Sequence, residues 1–306
     1  MSPITAKSRF LEVGALNRLS HLRFGTKRAM EGTYSGRHRS RHKGGASEFL
    51  EHRQYSPGDD VRRLDWKVLG RTGRSYIRQY EDETNLVATL VLDVSRSMTF
   101  GAGLGRDSDG SKLDYARYLA AAMAYLIIKE RDRFGLALVS SRLDAFHPPA
   151  STIAQLETVV NALEQVKPVP ETALAPALRD LFSRLRKRGM LIVVSDFLDA
   201  DLEQLFSSIR LFRHKHFGVI LLHILHPQEE RLPMGPAYRF EGLEGEGYRN
   251  CSPQDVADLY ERRLRAFLTG FRSRAVAAGC SYHLFSTAVP YVEQLKTLLV
   301  ERHGYG

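Results

Sequence analysis

The chain is poor in the residues that staple a fold or span a membrane. Its two cysteines, Cys251 and Cys280, are far apart and neither sits in a Cys-x-x-Cys pair. That excludes a disulfide framework and leaves no zinc-like or cluster-like spacing, so both thiols read as buried. No apolar run reaches the roughly eighteen residues of a membrane-crossing helix. The first twenty residues lack the apolar centre and small-residue cleavage site of a secretory signal. The expectation is therefore a cytoplasmic protein without a transmembrane segment. Common catalytic signatures are missing too. Residues 101–110 are glycine-rich but contain neither a Walker-type Gly-x-x-x-x-Gly-Lys nor a Gly-x-Gly-x-x-Gly, so they read as a flexible insertion. There is no Gly-x-Ser-x-Gly nucleophile elbow and no internal repeat. Tryptophan occurs once, as Trp66.

What is present describes an ordinary globular chain. Its 306 residues are 43% hydrophobic and 26% charged, enough for one large or two modest domains with a sizeable core. The net charge of +9 is concentrated early: 17 basic against 10 acidic side chains precede Asn85. Arg37, Arg39, Arg41 and Lys43 form the densest run and are candidate contacts for an anion: phosphate, anionic lipid or an acidic protein surface. A solvated loop is the plainer reading of that run. Aromatics only flank it, at Tyr34 and Phe49, and no nucleic-acid module is present, which argues against nucleic-acid binding.

The most informative stretch is 86–100, LVATLVLDVSRSMTF. Leu86 to Leu92 is apolar without alternation, which suits a strand covered on both faces of a parallel sheet. It ends at Asp93, followed by Ser95 and Ser97. A carboxylate and two hydroxyls are hard oxygen donors, suited to Mg2+, Mn2+ or Ca2+ rather than to zinc or iron. They stand at a strand's C-terminal end, where open α/β sheets bind ligands.

Downstream, helical and strand patterns alternate. Ser111-x-x-Asp114 reads as a capping box opening a helix from Tyr115 to Lys129. Strands follow at 134–140 and 142–147, the latter stopped by Pro148-Pro149. A helix at 151–165 comes next, then one at 173–187 that Thr172 can cap. A strand at 190–194 ends at Ser195-Asp196, a helix covers 202–214, and a strand covers 217–225. A small hairpin falls within about 228–250, with 238–243 as one strand. A helix at 253–278, a strand at 280–286 and a helix at 291–302 complete the chain. Before Asn85, Phe10, Leu11, Val13, Leu16, Leu19 and Leu22 recur at helical spacing, and Tyr76 to Tyr80 alternate like a strand. The predicted fold is α/β, a doubly wound, mostly parallel six-stranded sheet. Residues 1–84 form an N-terminal extension of helix, loop and short strands, and 85–306 form the main domain.

Two motifs resemble known families. Asp93-Val94-Ser95-Arg96-Ser97 resembles the metal-ion-dependent adhesion site of von Willebrand factor A domains. The longer run Arg53-x-Tyr55-x-Pro57-Gly58-Asp59-Asp60-x-Arg62-x-Leu64-Asp65-Trp66, ahead of it, resembles the von Willebrand A-like proteins encoded beside MoxR-type AAA+ ATPases. That family is defined as a domain of unknown function. The resemblance implies a sheet order of 3-2-1-4-5-6 with the third strand antiparallel, so that Asp93 and Asp196 meet where the order reverses. It implies a metal site of Asp93, Ser95, Ser97, Thr172 and Asp196, holding Mg2+ (Mn2+ or Ca2+ also suit it). Glu171 stands where such loops often carry glycine.

The implied function is a non-enzymatic, metal-dependent protein-binding adaptor, with a MoxR-type AAA+ ATPase and an unknown client protein as partners. The alternatives are a metal-dependent hydrolase using Asp93, against which Ser95 stands where an aspartyl-phosphate enzyme has a second Asp, and nucleic-acid binding through the basic loop. Arg53, Tyr55, Asp59, Asp60, Arg62, Asp65 and Trp66 are expected either to order the loops near the site or to touch a partner directly.

Overall fold

The computed structural model describes residues 9–19, 22, 24, 47–56, 64–82, 86–102, 110–170, 173–186, 188–198, 201–233, 235, 237–243 and 247–303, with backbone alone for 47–53 and 77–82. The chain divides into two units: residues 31–85, and residues 1–30 together with 86–306.

The larger unit is built on β3 (Val87–Asp93), which lies inside a six-stranded sheet. Its neighbours are β4 (Arg133–Val139) on one side and β6 (Met190–Ser195) on the other. Beyond β4 lies β5 (Leu143–Ala150); beyond β6 lie β7 (Gly218–Leu225) and β10 (Ser281–Ser286). The pairings are parallel except β4 with β5, so the order is the one the von Willebrand A resemblance implies. Successive residues of a strand point to opposite faces. Thus Leu90, Leu92, Ile192, Val194, Ile220 and Leu222 pack into one core, and Val91, Leu191, Val193, Val219 and Leu221 into another. Two covered faces require the continuous apolar runs that the sequence carries.

Helix α3 (Lys112–Lys129) packs in the first core beside α4 (Ile153–Gln165) and α9 (Tyr291–His303). Fourteen of its eighteen residues are buried, which explains why a helix so rich in alanine and leucine has little amphipathic character. Helices α5 (Leu174–Arg184) and α6 (Leu202–His214) and the latter part of α8 (Pro253–Ala277) cover the opposite face. A hairpin of β8 (Tyr238–Glu241) and β9 (Tyr248–Cys251) precedes α8. Among the described residues no helix is long and apolar enough to cross a membrane.

Several expectations need correcting. Pro148-Pro149 does not stop the third strand of the sheet; β5 runs through both prolines to Ala150. The strand lies at the sheet edge, where a missing N–H is tolerated, and its register with β4 shifts there. Gly135 faces this irregularity: a Cβ on it would meet His147 O and the Pro149 ring at 2.9 Å. Helix α5 ends at Arg184 rather than at 187. Its N-cap position is Ala173, without a side-chain cap, so the expected Thr172 cap is displaced by one residue, and Thr172 itself lies outside the described residues. Helix α3 begins at Lys112, three residues before the expected start, with Asp114 N donating to Ser111 Oγ at 3.1 Å.

The first residues do not stand apart as an extension of 1–84. Phe10, Leu11, Leu16, Leu19 and Phe24 are buried in the core around α3, with Phe10 set edge-on to Tyr118. The helical pattern expected there yields one short turn, α1 (Val13–Leu16), continued by a 3-10 turn at Asn17–Leu19. In the smaller unit, β1 (Ser47–Gln54) pairs antiparallel with β2 (Tyr76–Asp82). Strand β1 was not foreseen, because SEFLEHRQ holds no β-branched residue and four charged or titratable ones.

Candidate functional site

The parallel register of β3 and β6, from Ala88 opposite Met190 to Leu92 opposite Val194, delivers Asp93 and Ser195 side by side at the C-terminal edge of the sheet. Asp196 follows directly. Asp93 and Asp196 are both fully buried. Asp93 Oδ1 accepts from Ser95 N at 2.9 Å, and Oδ2 accepts from the Ser195 hydroxyl at 2.6 Å. Ser195 Oγ accepts in turn from Phe197 N at 2.8 Å, and Phe197 takes a positive φ of 50°. Such a backbone is costly for a phenylalanine and is held here by that hydrogen bond and by the ring's burial.

Ser95 and Ser97 place their hydroxyl oxygens 3.0 Å apart, Ser95 at the start of a 3-10 turn, Arg96–Thr99. Ser95 also bridges to Val169, whose N–H donates to Val94 O at 2.9 Å, which fixes the end of the 166–170 connection against the site. Ser140, the residue after β4, has a buried Oγ with no hydrogen bond among the described residues. Arg96 is exposed beside the cluster.

Three residues that no sequence motif marks as site residues complete the cluster: Lys112, Ser195 and Glu229. Lys112 is fully buried in the first turn of α3. Its Nζ donates to Asp196 Oδ2 at 2.7 Å and to Glu229 Oε1 at 2.5 Å. Asp196 Oδ1 accepts from Leu198 N at 3.2 Å. Glu229 belongs to α7 (Pro227–Glu230), and its Oε2 accepts from His226 N at 2.9 Å in a capping box. Tyr260 of α8 donates to the Glu229 carbonyl at 2.6 Å. A signal for Lys112 did exist. A cation one residue after a helix N-cap opposes the helix dipole, and such a lysine needs a carboxylate partner to be there.

Burial, and after it the charge of Asp196, push the Asp93 carboxyl up to about 7, against the hydrogen bonds from Ser195 and Ser95. Burial works against the Lys112 ammonium, yet Asp196 and Glu229 outweigh it and hold the amine above its ordinary range. Burial raises Glu229, partly offset by Lys112. His223 is pushed down to about 4, chiefly by burial. It lies among Phe197, Phe267 and Phe271, with Nδ1 3.0 Å from the Tyr282 hydroxyl. His226 Nδ1 accepts from Gln228 N at 3.2 Å. Both imidazoles thus serve local structure.

The donor set fits a hard divalent cation. Asp93, Ser95, Ser97 and Asp196 lie at or just past the C-terminal ends of the neighbouring strands β3 and β6, and each offers oxygen. Lys112 joins two carboxylates, Asp196 and Glu229, and the charge of Asp196 reaches the buried Asp93; with all three carboxylates ionised the group has a formal surplus of two negative charges. Such a surplus calls for a cation or a proton.

The other residues singled out from the sequence fare differently. Thr172 and Glu171 lie outside the described residues, as do Asp59, Asp60, Arg62 and the basic run Arg37, Arg39, Arg41 and Lys43. Arg53 is placed by its backbone on β1, opposite Ile77. Tyr55 is half-buried, its N–H donating to Ser75 O. Asp65 caps α2 (Trp66–Thr72), accepting from Lys67 N at 3.0 Å and Val68 N at 3.2 Å. Asp65 therefore orders its own loop, while Trp66 is 65% exposed.

A model of the family described as "Protein of unknown function DUF58" matches residues 51–265. Among curated proteins the chain is similar to the uncharacterized proteins Rv1480 of Mycobacterium tuberculosis and Mb1516 of Mycobacterium bovis. Each is 32% identical over 219 residues, 70% of this chain and 66% of the relative's length. The chain thus matches just under two thirds of those relatives. Among solved structures, an aerotolerance-related membrane protein from Bacteroides fragilis is 13% identical with a TM-score of 0.48, over 72% of this chain and 100% of that one. BatB from Bacteroides thetaiotaomicron is 13% identical with a TM-score of 0.47, over 72% and 99%. The von Willebrand domain of the pilus tip protein Mfa5 from Porphyromonas gingivalis is 10% identical with a TM-score of 0.37, over 71% and 96%.

Proposed function

The chain belongs to the DUF58 family, and we propose that it is a non-enzymatic adaptor that recognises a carboxylate of a partner protein through a divalent cation, Mg2+ in the first instance. The partners in this reading are a MoxR-type AAA+ ATPase and a client protein, met in the cytoplasm. One observation carries it: Asp93 at the end of β3 and Asp196 just past the adjacent β6 are both buried at the sheet's C-terminal edge, where Ser95 and Ser97 follow with facing hydroxyls. Asp93, Ser95, Ser97 and Asp196 would hold the ion, which supplies an open coordination position of the kind an acidic side chain fills. Asp93 orients the Ser95 backbone and the Ser195 hydroxyl, and so sets the direction in which the two serine oxygens face. Arg96, exposed beside them, attracts an acidic partner to the opening.

Hydrolysis has less support. The residue two after Asp93 is Ser95, and the nearby imidazoles of His223 and His226 are committed to Tyr282 and to the Gln228 backbone. The test is co-purification of the tagged protein with the ATPase in Mg2+ and in chelator. The adaptor reading expects capture that chelator abolishes and that Asp93→Ala loses. Capture undiminished by both would rule out a metal-mediated contact.

A further inference from the structure

Lys112 is the least expected residue of the site. Its ammonium is fully buried, at a helix N-terminus whose dipole repels it. Two short charge-assisted bonds hold it there against both costs. One goes to Asp196, inside the proposed cation site; the other goes to Glu229, whose side chain is 15% exposed at the rim. The Phe100 ring centre lies 5.8 Å from Nζ on a further side. Next to it Gly101, at φ 99°, presses against the His226 ring, where a Cβ would come within 2.6 Å. The 226–230 turn is thus seated against the loop that follows the metal motif.

We propose that Lys112 and Glu229 set the charge of the cation site: Lys112 is a tethered cation that offsets part of the carboxylate charge, and Glu229 offsets Lys112. This rests on the metal reading above. With both residues present and Asp93 ionised, as a bound cation would make it, the group carries a formal surplus of two negative charges, the amount one divalent ion neutralises. Removing Lys112 leaves one negative charge more; removing Glu229 leaves one fewer. A unit charge several ångströms from a divalent ion changes its affinity by about tenfold or more at the effective dielectric of a protein rim. Both are positioning residues by this account, acting on the ion through Asp196 and through the field.

The two substitutions break the same ion pair, and this makes the idea testable. If the pair acted only by holding the turn in place, Lys112→Met and Glu229→Gln would weaken metal binding alike. If it acts by charge, they shift affinity in opposite directions. The experiment titrates the full chain with Mn2+ alone, at fixed pH and ionic strength, and counts free ion by electron paramagnetic resonance. The expected result is roughly tenfold or greater tightening for Lys112→Met and comparable weakening for Glu229→Gln. The double variant has the wild-type formal charge and no ion pair, and it should bind close to wild type. Should Lys112→Met alone fail to fold, the other two decide. Weak binding by Glu229→Gln, restored in the double variant, supports the proposal; no weakening, or no restoration, overturns it. A wild type that ignores Mn2+ while Lys112→Met binds it would support the charge proposal and show that the wild-type site is held empty by Lys112, against the adaptor reading of the unmodified protein. Tight wild-type binding that none of the variants moves would do the reverse, and no binding by any chain removes both.

Discussion

Asp93→Asn is expected to stabilise the metal-free protein at about pH 8, by on the order of 2 kcal/mol, while abolishing its response to Mg2+. Asp93 is buried, and the charge of Asp196 adds to that penalty, so its folded carboxyl titrates near 7 against 3.8 in an unreacting chain. The folded state therefore binds the proton more tightly than the unfolded state. The stability this group contributes is fully present below its unfolded value and is lost as pH rises through about 7. His223 acts oppositely: its folded value of about 4 lies below its unfolded 6.5, so its contribution is lost as pH falls through that interval. The two slopes oppose each other between about pH 4 and 6.5, so the Asp93 effect is read as the difference between wild type and Asp93→Asn, which grows from about pH 4 to 7 and levels off above 7. Across that interval chelated wild-type protein should lose stability relative to Asp93→Asn as pH rises, and at about pH 8 Mg2+ should restore the wild type but not the variant. Urea unfolding at two pH values, with and without Mg2+, reads all of this. The asparagine keeps the carboxylate's shape beside Ser95 N, so loss of the pH slope is attributable to charge.

Lys112→Met should be the most damaging single change to the metal-free fold. It leaves Asp196 and Glu229 without the ammonium that joins them, one fully buried and one nearly so. Removing one partner of a buried ion pair typically costs about 3–5 kcal/mol, because the remaining charge is left uncompensated. The loss should appear as a lower urea midpoint, and Mg2+ should recover part of it. A change at Arg184, which pairs with Asp180 on an exposed helix face, should cost well under about 1 kcal/mol by comparison.

The legible parts of this protein were those where many residues repeat one instruction. The unbroken apolar run before Asp93 specifies a doubly covered strand, and the alternation of elements after it specifies the wound sheet. From the order of that sheet, Asp93 and Asp196 could be assigned to the ends of neighbouring strands across a hundred residues, and β3 and β6 are neighbours, with Asp93 accepting from Ser195, the residue before Asp196. What escaped was carried by single residues whose usual behaviour points elsewhere. Lysine is ordinarily exposed, so the capping-box pattern of Ser111 and Asp114 does not mark Lys112 between them as a buried cation. Pro148 and Pro149 read as a stop, although an edge strand with a register shift accommodates them. Strand β1 has no β-branched residue and only one aromatic, Phe49, and is held by pairing with β2. Ser195 looked like a strand-end residue, but its hydroxyl connects Asp93 to the strained Phe197 backbone.

The most direct measurement is the anomalous scattering of Mn2+ diffused into crystals of the full chain. The account predicts one strong peak bounded by the hydroxyls of Ser95 and Ser97 and the carboxylates of Asp93 and Asp196, and no such peak in Asp93→Ala. An empty cleft at millimolar Mn2+, with Lys112 still joined to Asp196 and the serine hydroxyls still facing each other, would contradict it.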